Sequence, residues 1–281
     1  MSVPISFEVY PPRNPDAAPA LYEAIDRLGA LGPSFISVTF GAGGTDTSGS
    51  IEVLGYIKNN TSAMPLAHLT CVGTTADEIS GLLGQFEAAG ITDFLALRGD
   101  LPEGQATLPA ASLKTADQLV SAIRGYHRGL QSKVAVAAFP NGHPESGENR
   151  QDLVALRAKQ DAGADFAITQ LFFYAADYFK FLELARAAGV TIPIIPGIMP
   201  ITSPTRLSRV LELTGEAEPT ELANALAAAQ SGSERVQIGI DWAANLVSQL
   251  VKAGVPGIHL YAFNEYKNVT EVLKRAGLIT E

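Results

Sequence analysis

The chain has 281 residues, 47% of them hydrophobic, with a formal net charge of −9 and a single cysteine, Cys71. That apolar content over this length supplies the core of one domain of α/β-barrel size, and an acidic balance with no basic block excludes the electrostatic footprint of a nucleic-acid binder. A lone cysteine leaves no internal disulfide, the opening MSVPISFEVYPP lacks the basic flank and apolar run of a secretory signal, and no stretch reaches the roughly 18 apolar residues of a membrane span, so a cytoplasmic protein without a membrane partner is expected.

Apolar, β-branched runs alternate with amphipathic stretches along the whole length, the pattern of repeated βα units and a parallel sheet. In chain order the predicted strands are ISFEVY from residue 5, FISVTF from 35, PLAHLTCV from 65, DFLALRG from 93, VAVAAFP from 134, FAITQLFF from 166, IPIIPGIMP from 192 and GIHLYAFN from 257. Their near-continuous apolarity fits strands buried on both faces. Between them Leu21, Ile25 and Leu28, and later Tyr178, Phe181, Leu182 and Ala185, recur at the helical period. Five stretches close on Ala-Gly, at Gly90, Gly163, Gly189, Gly254 and Gly277, where glycine suits the left-handed position just past a helix end. A polar, Ala-rich piece after the seventh unit predicts a small helical insertion at about 216–232. Eight regular units predict the α/β class and a (β/α)8 TIM barrel, a single domain over residues 1–281.

In such a barrel the functional groups lie at the C-terminal strand ends and in the loops that follow. That rule selects Glu8, Thr39, His68, Arg98 with Asp100, Phe139 with His143, Gln170, and Asn264 with Glu265. Glu8 is the sharpest. An ionised carboxylate inside an apolar strand is costly to bury, so its pKa is expected to rise, and a carboxyl protonated near neutrality can act as a general acid. The plainer reading is a structural carboxylate paired with a neighbouring Arg, or a Glu that merely faces a polar barrel layer. Gly99 permits the sharp exit that would point Asp100 into the mouth, against the plainer reading of a surface loop. His68 and His143 have no second histidine at ligand spacing, so no metal is expected, and no Lys stands at a predicted strand end for Schiff-base chemistry.

The motifs SFEVYPPR, FISVTFGAGGT, HLTC, ALRGD, VAAFPNGHPE, DAGADFAITQLFF, PGIMPIT and HLYAFN, then TEVLKRAG, follow one another along nearly the whole chain. Together they resemble the methylenetetrahydrofolate reductase family. The resemblance implies a barrel enzyme of one-carbon metabolism and methionine biosynthesis. Such an enzyme reduces the methylene bridge of 5,10-methylenetetrahydrofolate to the 5-methyl form, with hydride from NADH or NADPH ordinarily relayed by FAD. It implies Glu8 as the general acid that protonates N10 and opens the ring to an N5 iminium ion. Asp100 then matches a carboxylate that contacts the pterin and can stabilise that cation. Gln170 matches a folate hydrogen-bonding residue, and Thr39, Phe172, Asn264 and Lys267 are further expected folate contacts. His68, Arg98, Phe139, His143, Asp152 and Lys159 match the family's dinucleotide site, for NADH or FAD.

The departures from the family pattern carry information of their own. Phe139 stands where the flavin-binding set has Tyr, and Ala155 where it has Asn. The loop FGAGGTDTSGS lacks an Arg-rich continuation, Pro204 replaces a Phe that covers the nicotinamide, and Asn264-Glu265 replaces Asn-Arg. These point toward a flavin-free branch in which the nicotinamide passes hydride directly to the folate, with Glu52 the nearest candidate for a second acid or else a solvated residue at a helix start. Two alternatives stay open: the same reaction through bound FAD, and a barrel that binds folate without reducing it.

Overall fold

The computed structural model describes residues 3–12, 14–39, 47–99, 111–126, 132–143 and 150–280. The strands are β1 (Ile5–Val9), β2 (Phe35–Val38), β3 (Met64–Thr70), β4 (Asp93–Leu97), β5 (Val134–Ala138), β6 (Phe166–Thr169), β7 (Ile194–Ile195), β8 (Gly197–Ile198) and β9 (Ile258–Tyr261). Every pairing is parallel, in the order β7-β6-β5-β4-β3-β2-β1-β9-β8. β7 and β8 are the halves of the predicted seventh strand. Pro196, which has no N–H for the ladder, separates them. The first half pairs with β6 and the second with β9, so the ring closes through the chain at that proline.

The helices are α1 (Ala18–Gly29), α2 (Thr47–Asn60), α3 (Ala76–Ala88), α4 (Ala116–Tyr126), α5 (Gln151–Asp161), α6 (Ala175–Ala187), α7 (Pro204–Thr214), α8 (Thr220–Ala228), α9 (Gly232–Lys252) and α10 (Tyr266–Arg275). Leu21, Ile25 and Leu28 of α1, with Tyr178, Phe181 and Ala185 of α6, are buried as their spacing predicts. The five Ala-Gly stops all have positive φ, from 69° at Gly90 to 110° at Gly163, a region that only glycine enters without strain. In the insertion, Leu222 and Leu226 of α8 pack on Leu207 and Val210 of α7 and on Leu171 and Phe173 after β6.

Alternation along each strand divides the side chains between two cores. Phe7 and Val9, Ile36 and Val38, and Ala67 and Leu69 face outward and join the helix residues in the large outer core. Phe35, Leu66, Leu95, Ala135 and Ile168 face inward and fill the barrel. Registers carry that inward parity from strand to strand: Glu8 pairs with Ser37 and Tyr261, and Ser6 with Phe35 and His259. Polar side chains therefore stand directly above an apolar plug. No helix among the described residues is long and apolar enough to cross a membrane.

Candidate active site at the barrel mouth

Glu8 is buried, and its Oε2 lies 3.4 Å from Nε2 of His68 on β3 and 3.9 Å from Nε2 of His259 on β9. The strand between Glu8 and His68 contributes the small Ser37 at this level, which leaves room for the approach. His259 is fully buried; its Nδ1 lies 2.9 Å from Ser6 Oγ, and that hydroxyl lies 3.3 Å from the carbonyl oxygen of Ile258. When Ser6 donates to the carbonyl, its oxygen accepts Nδ1–H, and a neutral ring then turns the Nε2 lone pair toward Glu8. Facing a carboxylate, that lone pair is repelled unless a proton lies between them. The same condition holds for His68, and apart from their approach to Glu8 neither Nε2 has a polar partner among the described residues. Glu8 and its two imidazoles thus form one buried acid–base cluster.

This arrangement corrects the expected pKa. Burial does push the Glu8 carboxyl up, but the hydrogen bonding and charge of His259 and His68 outweigh it and hold the group at about 2. The expectation counted burial alone. The partners are histidines from the third and last strands rather than an arginine. Beside them Tyr261 donates its hydroxyl to the carbonyl oxygen of Thr169 at 2.7 Å, and its ring meets His259 edge-on at 5.1 Å. Burial and the Glu8 charge hold its phenol well above the ordinary value, so it remains a donor. A methyl at Gly197 would collide with the Thr169 carbonyl and the Tyr261 ring, so glycine there is what admits the tyrosine.

A second cluster lies along β4, β5 and α5. Lys159 donates from Nζ to the carbonyl oxygen of Ala137 at 3.0 Å and sits 6.0 Å from the Phe139 ring centre. Burial lowers it to about 8, Asp117 and Asp152 oppose that shift, and Arg98 adds to it. Phe139 and His143 pack edge-on at 4.7 Å. Asp152 is held by Arg150 through two hydrogen bonds of 3.0 and 2.9 Å. Arg98, Phe139, His143, Asp152 and Lys159 are therefore brought together, whereas His68 belongs with Glu8.

The remaining expected residues divide. Gln170 and Thr39 extend the inward parity of their strands: Gln170 Oε1 accepts from the Leu171 amide at 3.0 Å, and the Thr39 amide donates to Val9 O at 3.1 Å. Phe172 points the other way, buried in the outer core and stacked on Tyr178 at 5.8 Å, because β6 ends at Thr169 and strand alternation does not carry on to it. Asn264 has both amide atoms on the Tyr10 backbone, at 2.9 Å each. Lys267 is exposed at the start of α10. Glu52 is exposed on α2 and accepts a 2.6 Å hydrogen bond from Tyr22 of α1, a contact between outer helices. Gly99 has a φ of 84°, as its expected sharp turn requires, while Asp100 lies outside the described residues.

His259, Ser6 and Tyr261 escaped the sequence reading. The signal available was parity: Ser6 precedes Glu8 by two, and His259 and Tyr261 alternate on the last strand. Among the described residues no group of three or more His, Cys, Asp or Glu is arranged to hold a metal ion.

The sequence profile of one family, methylenetetrahydrofolate reductase, matches residues 1–277. A protein of Oryza sativa named probable methylenetetrahydrofolate reductase (NADH) is 33% identical over 98% of this chain and 48% of its own length. The 5,10-methylenetetrahydrofolate reductase of Escherichia coli is 34% identical over 92% of this chain and 86% of its own. The chain thus spans about half the length of the plant relatives and most of the bacterial one. Among solved structures, a Clostridium thermocellum protein described as binding two copies of 5-methyl-5,6,7,8-tetrahydrofolic acid superposes with a TM-score of 0.63 at 17% identity, over 98% of this chain and 94% of that one. A Coxiella burnetii dihydropteroate synthase does so at 0.53 and 12%, over 98% and 92%. At these identities the likeness concerns the barrel alone.

Proposed function

The chain belongs to the methylenetetrahydrofolate reductase family, and from that membership we propose that it reduces 5,10-methylenetetrahydrofolate to the 5-methyl form with hydride taken directly from NADH and a proton delivered by Glu8. The single observation that carries the role of Glu8 is its buried contact with two imidazole nitrogens that have no other described partner. In the resting site the Glu8 carboxylate is ionised. As the methylene carbon parts from N10, that nitrogen becomes basic, and a proton passes from a contacting imidazole to the Glu8 carboxylate and on to N10. The balance is one hydride and one proton consumed, one C–N10 bond broken, and one C–H and one N10–H bond formed. Gln170 and Thr39 hold the pterin, Lys267 at the rim meets the acidic tail of the folate, and Asp100 is the carboxylate that the family resemblance assigns to the iminium cation.

The second cluster would hold NADH, Lys159 and Arg98 offering charge for its phosphates and Phe139 and His143 ring faces for its rings. Nearby phosphate charge favours the protonated form of Lys159, which burial otherwise disfavours. The NADH in the plant relatives' names supports this donor. These residues are a poor fit to a resident flavin: Phe139 has no hydroxyl, Ala155 offers only a methyl, and the Asp152 carboxylate is already gripped by Arg150. Glu52, bound to Tyr22, stays outside the chemistry.

The test is anaerobic NADH oxidation with methylenetetrahydrofolate, with and without added FAD, on protein whose visible spectrum has been recorded. Colourless protein with folate-dependent oxidation in both arms is the expected result. Turnover only with FAD, or a flavin spectrum on the purified protein, overturns direct transfer. Silence in both arms overturns the reaction.

A further inference from the structure

Beyond the end of β9 the chain does something costly. Phe263 and Asn264 have φ values of 48° and 64°, two consecutive non-glycine residues in the left-handed region, where each costs on the order of 1–2 kcal/mol. The turn aims the amides of Ala262 and Phe263 at one acceptor, the carbonyl oxygen of Glu8, at 3.2 and 3.3 Å. It also lays the Asn264 side chain along β1, where Oδ1 accepts the Tyr10 amide and Nδ2 donates to the Tyr10 carbonyl oxygen, both at 2.9 Å. The side-chain amide copies a peptide group and adds one rung to the β1–β9 ladder just past its last strand residue. On the opposite edge of β1 the Val9 carbonyl accepts from Thr39 at 3.1 Å. Glu8 is therefore fixed from both sides in the stretch where its carboxylate must meet two histidines at once.

We infer that Asn264 is a positioning residue for proton delivery: its amide clamps the end of β1 and so aims the Glu8 carboxylate, rather than touching the folate. This rests on the role of Glu8 proposed above. Asn suits the position on two counts, because it enters the left-handed region more readily than other non-glycine residues and because its amide carries donor and acceptor together. A strand end released on one side lets the carboxylate wander, and misplacement of a reacting group by about 1 Å costs up to roughly a hundredfold in rate.

The discriminating variant is Asn264→Gly, which keeps the left-handed backbone and removes only the amide. Asn264→Asp keeps the size and the acceptor but loses the donor. Both are assayed beside Glu8→Gln, with circular dichroism and Tm on every protein. Expected are a kcat about 10- to 100-fold lower for each Asn264 variant, a folate KM within about twofold of the parent, a displaced pH profile for kcat, and no further loss when Asn264→Gly is added to Glu8→Gln. A raised folate KM with kcat unchanged would make the amide a substrate contact and overturn the proposal. Unchanged kinetics, or failure of both variants to fold, overturns it by reducing the clamp to a matter of stability. Full activity of Glu8→Gln would instead remove the reading of Glu8 beneath it, a result that leaves a distinct signature.

Discussion

Glu8 Oε2 lies 3.4 Å from His68 Nε2, across the barrel from the first strand to the third. The carboxylate is the group proposed to protonate N10, so exchange for its isosteric amide tests that role with the least disturbance of packing. Glu8→Gln is expected to lower kcat by about 10²- to 10⁴-fold, the range for losing a general acid, with the far-UV spectrum unchanged. Steady-state kinetics on the folded variant decide the matter.

Hydrogen bonding by His259 is the largest single influence opposing burial at the Glu8 carboxyl. His259→Asn keeps a donor for Ser6 while removing the nitrogen that faces Glu8, leaving burial opposed by His68 alone. The carboxyl is then expected to titrate well above its parent value of about 2, which infrared difference spectroscopy of the carboxyl band can follow. An unmoved titration would mean that His259 does not govern Glu8.

The depressed carboxyl also links the fold to acid. A folded-state value of about 2 below the ordinary 4.5 means that the contribution of Glu8 to stability is complete above pH 4.5 and is lost as pH falls through 2. Urea midpoints of the parent and Glu8→Gln should accordingly differ most above pH 4.5 and converge as pH falls toward 2.

Lys159 has the opposite sign. Its folded value of about 8 lies below the ordinary 10.5, so the unfolded chain holds more protons between these values and stability rises with pH across that window. Below pH 8 the buried charge is a standing cost. Lys159→Met should therefore unfold at a higher temperature than the parent near neutrality, an advantage that fades between pH 8 and 10.5. Its KM for NADH should rise by roughly tenfold or more, as expected for a lost charge-assisted hydrogen bond. A stabilised variant with unaltered KM would separate Lys159 from the nucleotide.

Local pattern was enough for much of this protein. Each βα unit writes its own strand run, helical stripe and Ala-Gly stop, and these depend on neighbours a few residues away, so eight units and the barrel were legible along with the carboxylate at the end of the first strand. The loss of a flavin-type hydroxyl at Phe139 could likewise be read residue by residue. Partnership was beyond that reach. His259 and Ser6 meet because β9 returns beside β1, and their significance for Glu8 arises only when closure and register place them on one inward level. The same closure set Asn264 against the Tyr10 backbone, and the end of β6 at Thr169 released Phe172 into the outer core. Sequence fixes which side chains a strand offers; the sign of the Glu8 shift was decided by what the closed barrel set opposite it, since burial and buried imidazoles move a carboxyl in contrary directions.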